Sequence, residues 1–449
     1  MHIFILIIFE KLKLNKERKM KMMNTYQHKK LCISPNAVFV FYKEKVVAFN
    51  NTCGQWIRFS KECFDYLKKA VSLEMNGIQF INCFENDNDK IYMKKLLTQL
   101  HDIKVLNAPT EKMKINNISI LITERCNLFC KHCAANSKKI NETVDIPTEE
   151  MLNILSKVIK CKPESITISG GEPLVRKDFK DIINFIKNNS DISINLMTNA
   201  TLINQELAEF LANHVDVFDI SMDGYDEKSC ALIRGHGVFD KVISGIKLLQ
   251  MYGAKKIALS MVDVHHSPYE QNMFKKLCKE LGVEPVVRIL SASGRAKENL
   301  DYLENKTVRK GINPSDDIAV FPAKKEMENM LKACTCRAGS RCFTIQSNGD
   351  IVPCDAFSCE NIVIGNIRNI ENLSDFIQAE EYMSNVGLGS FLDYSPYGNT
   401  ICKDCPVRHF CLSCPFQVYD FIKNRGTLEQ YCRIRKPYFY EMIWEEEIE

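Results

Sequence analysis

The sequence predicts an α/β protein built around a partial (β/α)6 barrel of the TIM type. Between residues 118 and 290, short runs rich in β-branched residues alternate with amphipathic helical segments. The preceding region has the pattern of three short strands followed by helices. The region after the barrel holds ten of the chain's 20 cysteines, between Cys334 and Cys432. We therefore divide the 449 residues into an extension, a small domain, a barrel and a cysteine-rich domain, at 1–30, 31–107, 112–300 and 301–449.

Composition and charge fit an ordinary globular protein and disfavour a nucleic-acid partner. The chain is 45% hydrophobic and 26% charged, and its formal net charge is only +3. Basic and acidic residues are interspersed, so no extended positive surface is predicted. The cysteines have the spacings of metal ligands rather than those of a secreted disulfide framework, which indicates a reducing, cytoplasmic location.

The apolar N-terminus fits no targeting signal. Met1–Phe9 is apolar and residues 11–21 are basic, whereas a signal peptide has its charge first. Such a short apolar run cannot cross a bilayer. We expect residues 1–30 to be a non-native or disordered extension, with Met20, Met22 or Met23 as the true start and no membrane partner. A weak membrane-surface anchor is the alternative.

Residues 31–107 have the pattern of a β-hairpin, a third strand and helices. The hairpin joins Val38–Phe41 to Val46–Phe49, and Trp56–Phe59 alternates like a third strand. Ser60 is placed to cap the helix that follows. This order resembles the peptide-chaperone domain of pyrroloquinoline quinone biosynthesis. The resemblance implies a winged-helix-like domain that binds the leader of a ribosomally made peptide, and a generic α+β cap is the alternative.

The barrel region consists of six strand segments with helices between them. The predicted strands are Ile118–Ile122, Ser165–Ser169, Ile192–Met197, Val217–Ser221, Ile257–Val262 and Val286–Leu290. The predicted helices are Glu149–Lys160, Lys177–Lys187, Gln205–Ala212, Phe239–Met251 and Tyr269–Leu281. Such alternation requires a parallel sheet with right-handed crossovers. In a barrel of this kind, functional groups lie at the C-terminal ends of the strands.

Three cysteines follow the first predicted strand in one tight loop. Cys126, Cys130 and Cys133 have the spacing C-x3-C-x2-C. They can hold three corners of a cubane iron–sulfur cluster, whereas a cluster that only carries electrons normally has four cysteine ligands. The open corner leaves one iron available to a small molecule, which predicts an enzyme. A zinc site or a set of redox thiols is the alternative.

This triplet resembles the signature of the radical SAM superfamily, although His132 stands where the family usually has an aromatic residue before the third cysteine. The resemblance implies a catalytic 4Fe–4S cluster whose open iron binds S-adenosylmethionine (SAM). One electron from the cluster breaks the sulfonium bond, and a 5′-deoxyadenosyl radical removes a hydrogen atom from the substrate. The resemblance also implies a partial barrel, and an electron donor such as flavodoxin or ferredoxin.

Polar segments at later strand ends resemble the cofactor-binding segments of this family. Gly170, Gly171 and Glu172 begin a Gly-Gly-Glu-Pro segment, in which glycines allow close approach to a ligand. The resemblance implies that Glu172 binds the ammonium group of the methionine moiety. It also implies cofactor contacts at four further residues, namely Asn199, Ser221, Asp223 and Arg234. Capping of the following turn is the alternative for Asp223.

A further segment of the same kind follows the sixth strand. Ser293-Gly294-Arg295-Ala296 resembles the family's Gly-Arg-Ala segment. By that resemblance we expect this segment to line the adenosine pocket.

The C-terminal cysteines resemble a SPASM domain, which holds two auxiliary 4Fe–4S clusters. The resemblance implies that the first cluster is bound by Cys336, Cys342, Cys354 and Cys414. It implies that the second is bound by Cys402, Cys405, Cys411 and Cys432. Only two residues separate Cys411 from Cys414, where the family usually has three, so the spare Cys334 and Cys359 are candidate substitutes. A pair of zinc sites is the alternative.

Together these patterns predict a radical SAM peptide maturase. It would abstract hydrogen from a ribosomally made precursor peptide and form a thioether or carbon–carbon crosslink. Asp355 directly follows Cys354 and resembles the proposed base of formylglycine-forming relatives, so we assign it a catalytic role as proton acceptor. The alternatives are an anaerobic sulfatase-maturase-type enzyme and a non-enzymatic iron–sulfur electron carrier.

Overall fold

The computed structural model describes residues 28–109, 114–264, 267–303, 331–334, 336–360, 362–411, 414–424 and 426–445. The N-terminal extension predicted over residues 1–30 therefore lies outside the described residues, apart from its last three. No helix in the described ranges is long and apolar enough to cross a bilayer.

The N-terminal domain is a three-stranded antiparallel sheet followed by three helices. Its strands are Ala37–Tyr42, Lys45–Asn50 and Trp56–Ser60, in that spatial order. Its helices are Lys61–Ser72, Gly77–Asn82 and Asp87–Asp102. The Ser60 side chain accepts a hydrogen bond from the backbone N–H of Cys63 at 3.3 Å, as predicted for a helix cap. One face of the sheet packs on these helices around Leu67, Leu97 and Leu100.

Six parallel strands and the helices between them form the predicted partial barrel. The barrel strands, numbered first to sixth here, are Asn117–Leu121, Ser165–Ser169, Ser193–Thr198, Val217–Ser221, Ile257–Asp263 and Glu284–Ile289. The main helices are Thr148–Lys160, Phe179–Asn189, Gln205–His214, Glu227–Arg234, Val238–Met251 and Pro268–Leu281. The helix Glu227–Arg234 was not predicted. Buried isoleucines of the first three strands, including Ile120, Ile168 and Ile194, form the centre of the core.

The barrel sheet continues into the cysteine-rich domain. The strand Cys342–Ile345 pairs in parallel with the first barrel strand and is followed by Asp350–Val352 and Gly365–Asn366. These three strands lie beyond the first barrel strand, in that order, and bring the sheet to nine strands. Phe343 and Ile345 belong to the barrel core, so the two predicted domains share one hydrophobic interior.

The N-terminal sheet packs its second face against the C-terminal helix, Leu428–Trp444. Val47 and Phe49 of the sheet lie in one fully buried cluster with Phe410, Phe439 and Trp444. The Lys45 ammonium donates to the Trp444 carbonyl at 2.5 Å, and Arg58 donates to the Ile443 carbonyl at 2.6 Å. Cations are favourable at a helix C-terminus because its last carbonyls carry partial negative charge.

Candidate active site at the open end of the barrel

The cysteine triplet lies in the loop after the first barrel strand, at the C-terminal end of the sheet. The backbone N–H of Leu128 lies 3.3 Å from the Cys126 sulfur, and that of Ser137 lies 3.4 Å from the Cys133 sulfur. Burial, together with the neighbouring Glu172, Cys130 and Cys133, raises the pKa of Cys126 to about 12. The loop therefore brings the three thiols close together and presents hydrogen-bond donors to their sulfurs.

The two glycines after the second barrel strand allow this strand end to approach the cysteine loop. A Cβ at Gly170 would lie 2.4 Å from the Thr123 carbonyl, and one at Gly171 would lie 2.3 Å from the Arg125 carbonyl. Gly170 also has a positive φ of 146°. The backbone N–H groups of Gly171 and Glu172 donate to the same two carbonyls, each at 2.8 Å. The close approach is thus to the chain itself, at the base of the cysteine loop.

Glu172 is a buried carboxylate held by the end of the third barrel strand. It is 1% exposed and accepts hydrogen bonds from the Thr198 hydroxyl and the Asn199 backbone N–H, both at 2.7 Å. Burial raises the pKa of Glu172 to about 7, against the lowering effect of these donors. A carboxyl group at this position is well placed to gain stability from a cationic ligand.

Asp223 connects the cysteine loop to the fourth barrel strand. Its Oδ2 atom lies 2.6 Å from Arg234 Nε and 2.7 Å from His132 Nε2, and its Oδ1 accepts from the Val262 backbone N–H at 2.7 Å. Burial by itself raises the pKa of Asp223, but Arg234 and His132 outweigh it and hold that pKa well below its ordinary value. The alternative role of capping the next turn falls to Asp226, whose side chain accepts from the Ser229 N–H at 2.7 Å.

Arg234 and Asn199 reach the cysteine sulfurs from two sides. Arg234 NH1 lies 3.9 Å from the Cys130 sulfur, and Asn199 Nδ2 lies 3.9 Å from the Cys126 sulfur. Ser221 is half-buried and is the last residue of the fourth barrel strand. The structure thus gathers the predicted residues of the second, third and fourth strand ends around the cysteine loop.

The first C-terminal set of cysteines comes together from distant segments. Burial raises the pKa of Cys336, and the thiols of Cys414 and Cys342 add to this effect. Burial also raises the pKa of Cys354, where Asp355, Cys414 and Cys336 act in the same direction. Cys414 therefore lies close to Cys336 and Cys354 despite its shortened spacing.

The second C-terminal set surrounds a cavity of about 40 Å³, which is lined by Cys402, Cys405, Cys411 and Cys432. Burial, together with the other three thiols, raises the pKa of Cys402 to about 12. Arg408, Arg435 and Lys436 also line the cavity. Four thiols in a cavity with basic neighbours suit an anionic, thiolate-ligated group.

The two spare cysteines make other contacts. The Cys334 thiol lies 3.4 Å from Asn51 Oδ1 and 3.9 Å from His409 Nδ1. The Cys359 thiol donates to the Ala134 carbonyl at 3.3 Å, next to the third cysteine of the loop. The predicted base Asp355 is exposed and its Oδ1 accepts from the Ala356 N–H at 3.1 Å.

Two contacts at the site go beyond what sequence reasoning predicted. His132 was noted only as a departure from an aromatic residue, yet it contacts Asp223 and has its Nδ1 atom buried without a hydrogen-bond partner in the structure as described. Arg295 was expected to line the adenosine pocket, and the structure adds a contact that was not predicted, because its NH1 donates to the Cys130 carbonyl at 3.0 Å. Spacing along the chain gives no signal for either contact.

The residues of the loop fit an iron–sulfur cluster. Three grouped thiols receive donors from the backbone and from Arg234, and such donors favour the thiolate form that ligates iron. In the part of the chain that the structure describes, no three Cys, His, Asp or Glu side chains are grouped as ligands of a single ion. A cubane does not need such a group, because each cysteine binds a different iron.

Comparison with protein-family models now identifies the chain. The model of the radical SAM superfamily matches residues 120–281, from the end of the first barrel strand through the cysteine loop to the helix after the fifth strand. The model of the SPASM iron–sulfur cluster-binding domain matches residues 334–406. The chain belongs to the radical SAM superfamily. It is an enzyme with a SPASM domain, and its cofactors are iron–sulfur clusters and SAM, as the sequence predicted.

Known proteins similar to this radical SAM enzyme include two kinds of maturase. The chain is 28% identical over 184 residues to mycofactocin maturase MftC of Mycolicibacterium smegmatis, over 40% of this chain and 46% of that protein. The chain therefore spans less than half of that relative's length. It is 25% identical over 366 residues to a cysteine-type anaerobic sulfatase-maturating enzyme of Clostridium novyi, over 73% of this chain and 96% of that enzyme.

Solved structures confirm the fold of the radical SAM enzyme. Streptococcus suis SuiB, solved with SAM bound, matches with a TM-score of 0.50 and 20% identity, covering 88% of this chain and 97% of SuiB. The protein anSMEcpe, solved with SAM and a peptide, also matches with a TM-score of 0.50 and 20% identity, covering 74% of this chain and 97% of anSMEcpe.

Proposed function

We propose that this enzyme is a peptide maturase that abstracts hydrogen from a ribosomally made precursor and forms a thioether or carbon–carbon crosslink. The observation that carries the proposal is the joint presence of three cysteine groups and a docked N-terminal sheet domain. Support comes from the relatives, because MftC is a maturase by name and anSMEcpe was solved with a peptide. An electron carrier would have no use for the buried carboxylates at the strand ends.

We assign Cys126, Cys130 and Cys133 to the catalytic cluster. When bound there, the cluster and SAM supply reductive cleavage of SAM and removal of a hydrogen atom from the substrate. Glu172, with its raised pKa, would accept a hydrogen bond from the ammonium group of SAM, and such a contact would favour the ionised carboxylate. The backbone approach at Gly170 and Gly171 fixes the distance between Glu172 and the cysteine loop.

The other strand-end residues position this site. Asp223 orients Arg234 and His132, and Asn199 lies between the Cys126 sulfur and the Asn127 side chain. We assign Ser221, Arg234, Asp223 and Asn199 to the SAM pocket because all four lie at strand or helix ends around the cysteine loop.

The two C-terminal cysteine sets are assigned to two auxiliary 4Fe–4S clusters. Cys336, Cys342, Cys354 and Cys414 would hold the first, and Cys402, Cys405, Cys411 and Cys432 the second. Their role would be to accept the electron left on the substrate after crosslinking, or to bind a substrate cysteine. A reduced flavodoxin or ferredoxin would supply the electron that begins each turnover, in the cytoplasm.

Asp355 is the proposed acceptor of the substrate proton. It is exposed and adjacent to Cys354, so it borders both solvent and the first auxiliary set. In an Asp355→Asn variant we expect SAM cleavage to continue while crosslinked product falls by about 10²-fold or more, the usual contribution of a general base. Mass spectrometry of both products measures this split, and equal loss of both would contradict the assignment.

The N-terminal sheet is the proposed site for the leader of the precursor. In the described residues its two outer strands, Ala37–Tyr42 and Trp56–Ser60, each pair on one side only, so an extended peptide can add as a further strand. Deleting the domain is a poor test, because Val47 and Phe49 belong to the same core as the C-terminal helix. Amide hydrogen exchange on the full chain is better.

That experiment uses peptides encoded by small reading frames beside the gene. Protection of one outer strand by a peptide, together with loss of two hydrogen atoms from that peptide on incubation with SAM and reductant, is the expected result. A peptide that is crosslinked without protecting either strand would remove the leader-binding role and keep the maturase activity.

A sulfatase-maturase activity is the second candidate, favoured by the match over 96% of the Clostridium novyi enzyme and by Asp355. A sulfatase-derived peptide with its target cysteine distinguishes the two. Formation of formylglycine in that peptide would support this candidate, whereas crosslinking of a neighbouring precursor alone would support the first.

A further inference from the structure

A short helix after the sixth barrel strand holds the backbone of the cysteine loop. This helix, Arg295–Glu298, begins after Gly294, which has a positive φ of 53°. A Cβ at Gly294 would lie 2.4 Å from the Ala134 carbonyl, so a side chain there would force the helix away from the loop. Asn299 at the end of the helix donates to the Lys131 carbonyl at 3.3 Å.

Arg295 makes most of the contacts between this helix and the loop. Its backbone N–H donates to the Cys133 carbonyl at 3.0 Å, and its guanidinium donates to the carbonyls of Cys130 at 3.0 Å and Ser137 at 2.5 Å. The guanidinium also lies 3.4 Å from the centre of the Phe129 ring. Arg295 thus contacts the backbone of Cys130 and Cys133, and also Phe129 before them and Ser137 after them.

Among the residues that the structure describes, Arg295 has no acidic partner, unlike the other buried arginines near the site. Arg176 pairs with Asp178 and Arg234 pairs with Asp223, both at 2.6 Å. Arg295 is 4% exposed, and within the described part of the chain its guanidinium contacts only carbonyls and an aromatic ring. A buried cation without an anion is costly, so the fold implies a negative group nearby.

The thiolates of the loop are a source of that negative charge. Arg295 donates to the backbone carbonyls of Cys130 and Cys133, both at 3.0 Å, so its charge lies beside two of the three cysteines. A cubane bound by three thiolates is anionic overall, and its reduction adds a further negative charge. A fixed cation beside it favours the reduced form.

We propose that Arg295 is the counterion of the catalytic cluster: a positioning residue that fixes the cysteine loop and raises the reduction potential of the cluster. The inference rests on the proposed role of the cysteine triplet. It gives Arg295 an electrostatic role in addition to its predicted place near the adenosine pocket.

The test measures the midpoint potential of the catalytic cluster by EPR-monitored redox titration of the full, anaerobically reconstituted chain. The catalytic signal is the one that disappears in the Cys126/Cys130/Cys133→Ala variant. In Arg295→Gln we expect the equilibrium constant for reduction to fall tenfold or more, which is a shift of about 59 mV to more negative potential. Arg295→Lys keeps the charge and is expected to stay much closer to the wild type.

Two control variants separate charge from geometry. Asn299→Leu removes the side-chain hydrogen bonds to the Lys131 and Arg295 carbonyls without changing charge. Arg176→Gln removes an arginine that is also 4% exposed but is paired with Asp178. Neither should move the potential. An unchanged potential in Arg295→Gln, or an equal shift in Asn299→Leu, would overturn the proposal.

Iron content keeps the test decisive if the glutamine variant fails to bind the cluster. Retention of iron by Arg295→Lys but not by Arg295→Gln supports the charge, and loss in both variants overturns it. A wild-type protein without any signal that depends on the three cysteines would instead refute the proposed function itself.

Discussion

The two cysteine regions of this enzyme are built in different ways. The catalytic loop takes its three cysteines from eight consecutive residues, and strand ends from across the barrel surround it. The C-terminal sets instead draw cysteines from segments that are up to 78 residues apart, from Cys336 to Cys414. The loop depends on the barrel to supply its environment, whereas the C-terminal thiols depend on the fold to be brought together at all.

The two regions should therefore differ in how much they contribute to activity and to stability. The three cysteines of the catalytic loop are close together along the chain. Replacing them should therefore remove activity and leave the fold largely intact. The second C-terminal set packs against the core shared by the N-terminal sheet and the C-terminal helix, in which Cys405 and Cys411 are partly buried. Its cluster should therefore contribute to stability as well as to electron transfer.

The largest effect is expected from removing the catalytic cysteines. In Cys126/Cys130/Cys133→Ala, iron should fall from about twelve to about eight atoms per chain, because one of three cubanes is lost. SAM cleavage should fall to background, while the unfolding temperature changes little. Iron analysis and a 5′-deoxyadenosine assay measure both. Four irons falling to none, with zinc bound elsewhere, would show that the C-terminal sets are zinc sites.

The next effect tests the structural role of the second C-terminal set. Cys432 lies on the C-terminal helix that contacts the N-terminal sheet. In Cys405/Cys432→Ala we expect loss of about four irons and of several kcal/mol of stability, because metal binding and folding are coupled. SAM cleavage should persist. If stability fell no further than in the catalytic triple variant, the contrast between the two regions would be wrong.

A third prediction concerns the buried carboxylate beside the catalytic loop. Burial raises the pKa of Glu172 from 4.5 to about 7, so its stabilising contribution is complete at low pH and is lost as the pH rises through this window. Relative to the wild type, Glu172→Gln should therefore gain about 3 kcal/mol between pH 4.5 and pH 8. Parallel unfolding curves of the two proteins across this range measure the difference, and a constant difference would exclude a raised pKa.

The smallest effect is expected at the contact between the N-terminal sheet and the C-terminal helix. Arg58 donates to the Ile443 carbonyl and pairs with Glu445, and its side chain is only 10% exposed. Arg58→Met should cost about 1–3 kcal/mol of stability, since it leaves a carbonyl without its donor. Lys187→Met, which breaks a more exposed pair with Asp216, is the matched control and should cost less than about 1 kcal/mol.

The barrel and the catalytic triplet could be predicted because their signals are local. Apolar strands such as Ser165–Ser169 and Val217–Ser221 were predicted with the observed bounds, and the cysteine spacing lies within one loop. The contacts that organise the site are not local. Arg295 reaches Cys130 across 165 residues, and His132 meets Asp223 from another strand end, so neither contact has a sequence period or spacing that reveals it.

The domain architecture was only partly predictable for the same reason. The sequence places the strand Cys342–Ile345 in a separate cysteine-rich domain, yet it pairs with the first barrel strand. These two strands are more than 200 residues apart, and they pair because the first barrel strand is an open edge of the barrel sheet. Only the assembled sheet shows which strand forms that edge. Domain limits therefore remain a prediction, whereas the shared core is a property of the structure.

The N-terminal sheet lies between its own helices and the C-terminal helix, so it is packed against the rest of the enzyme through a buried core. If its edge holds a leader, one end of the peptide is anchored at a constant distance from the catalytic loop. The number of residues between leader and target then determines which residue reaches the catalytic loop and is modified. Lengthening a precursor by a few residues would move the modification along the peptide without any change in the enzyme.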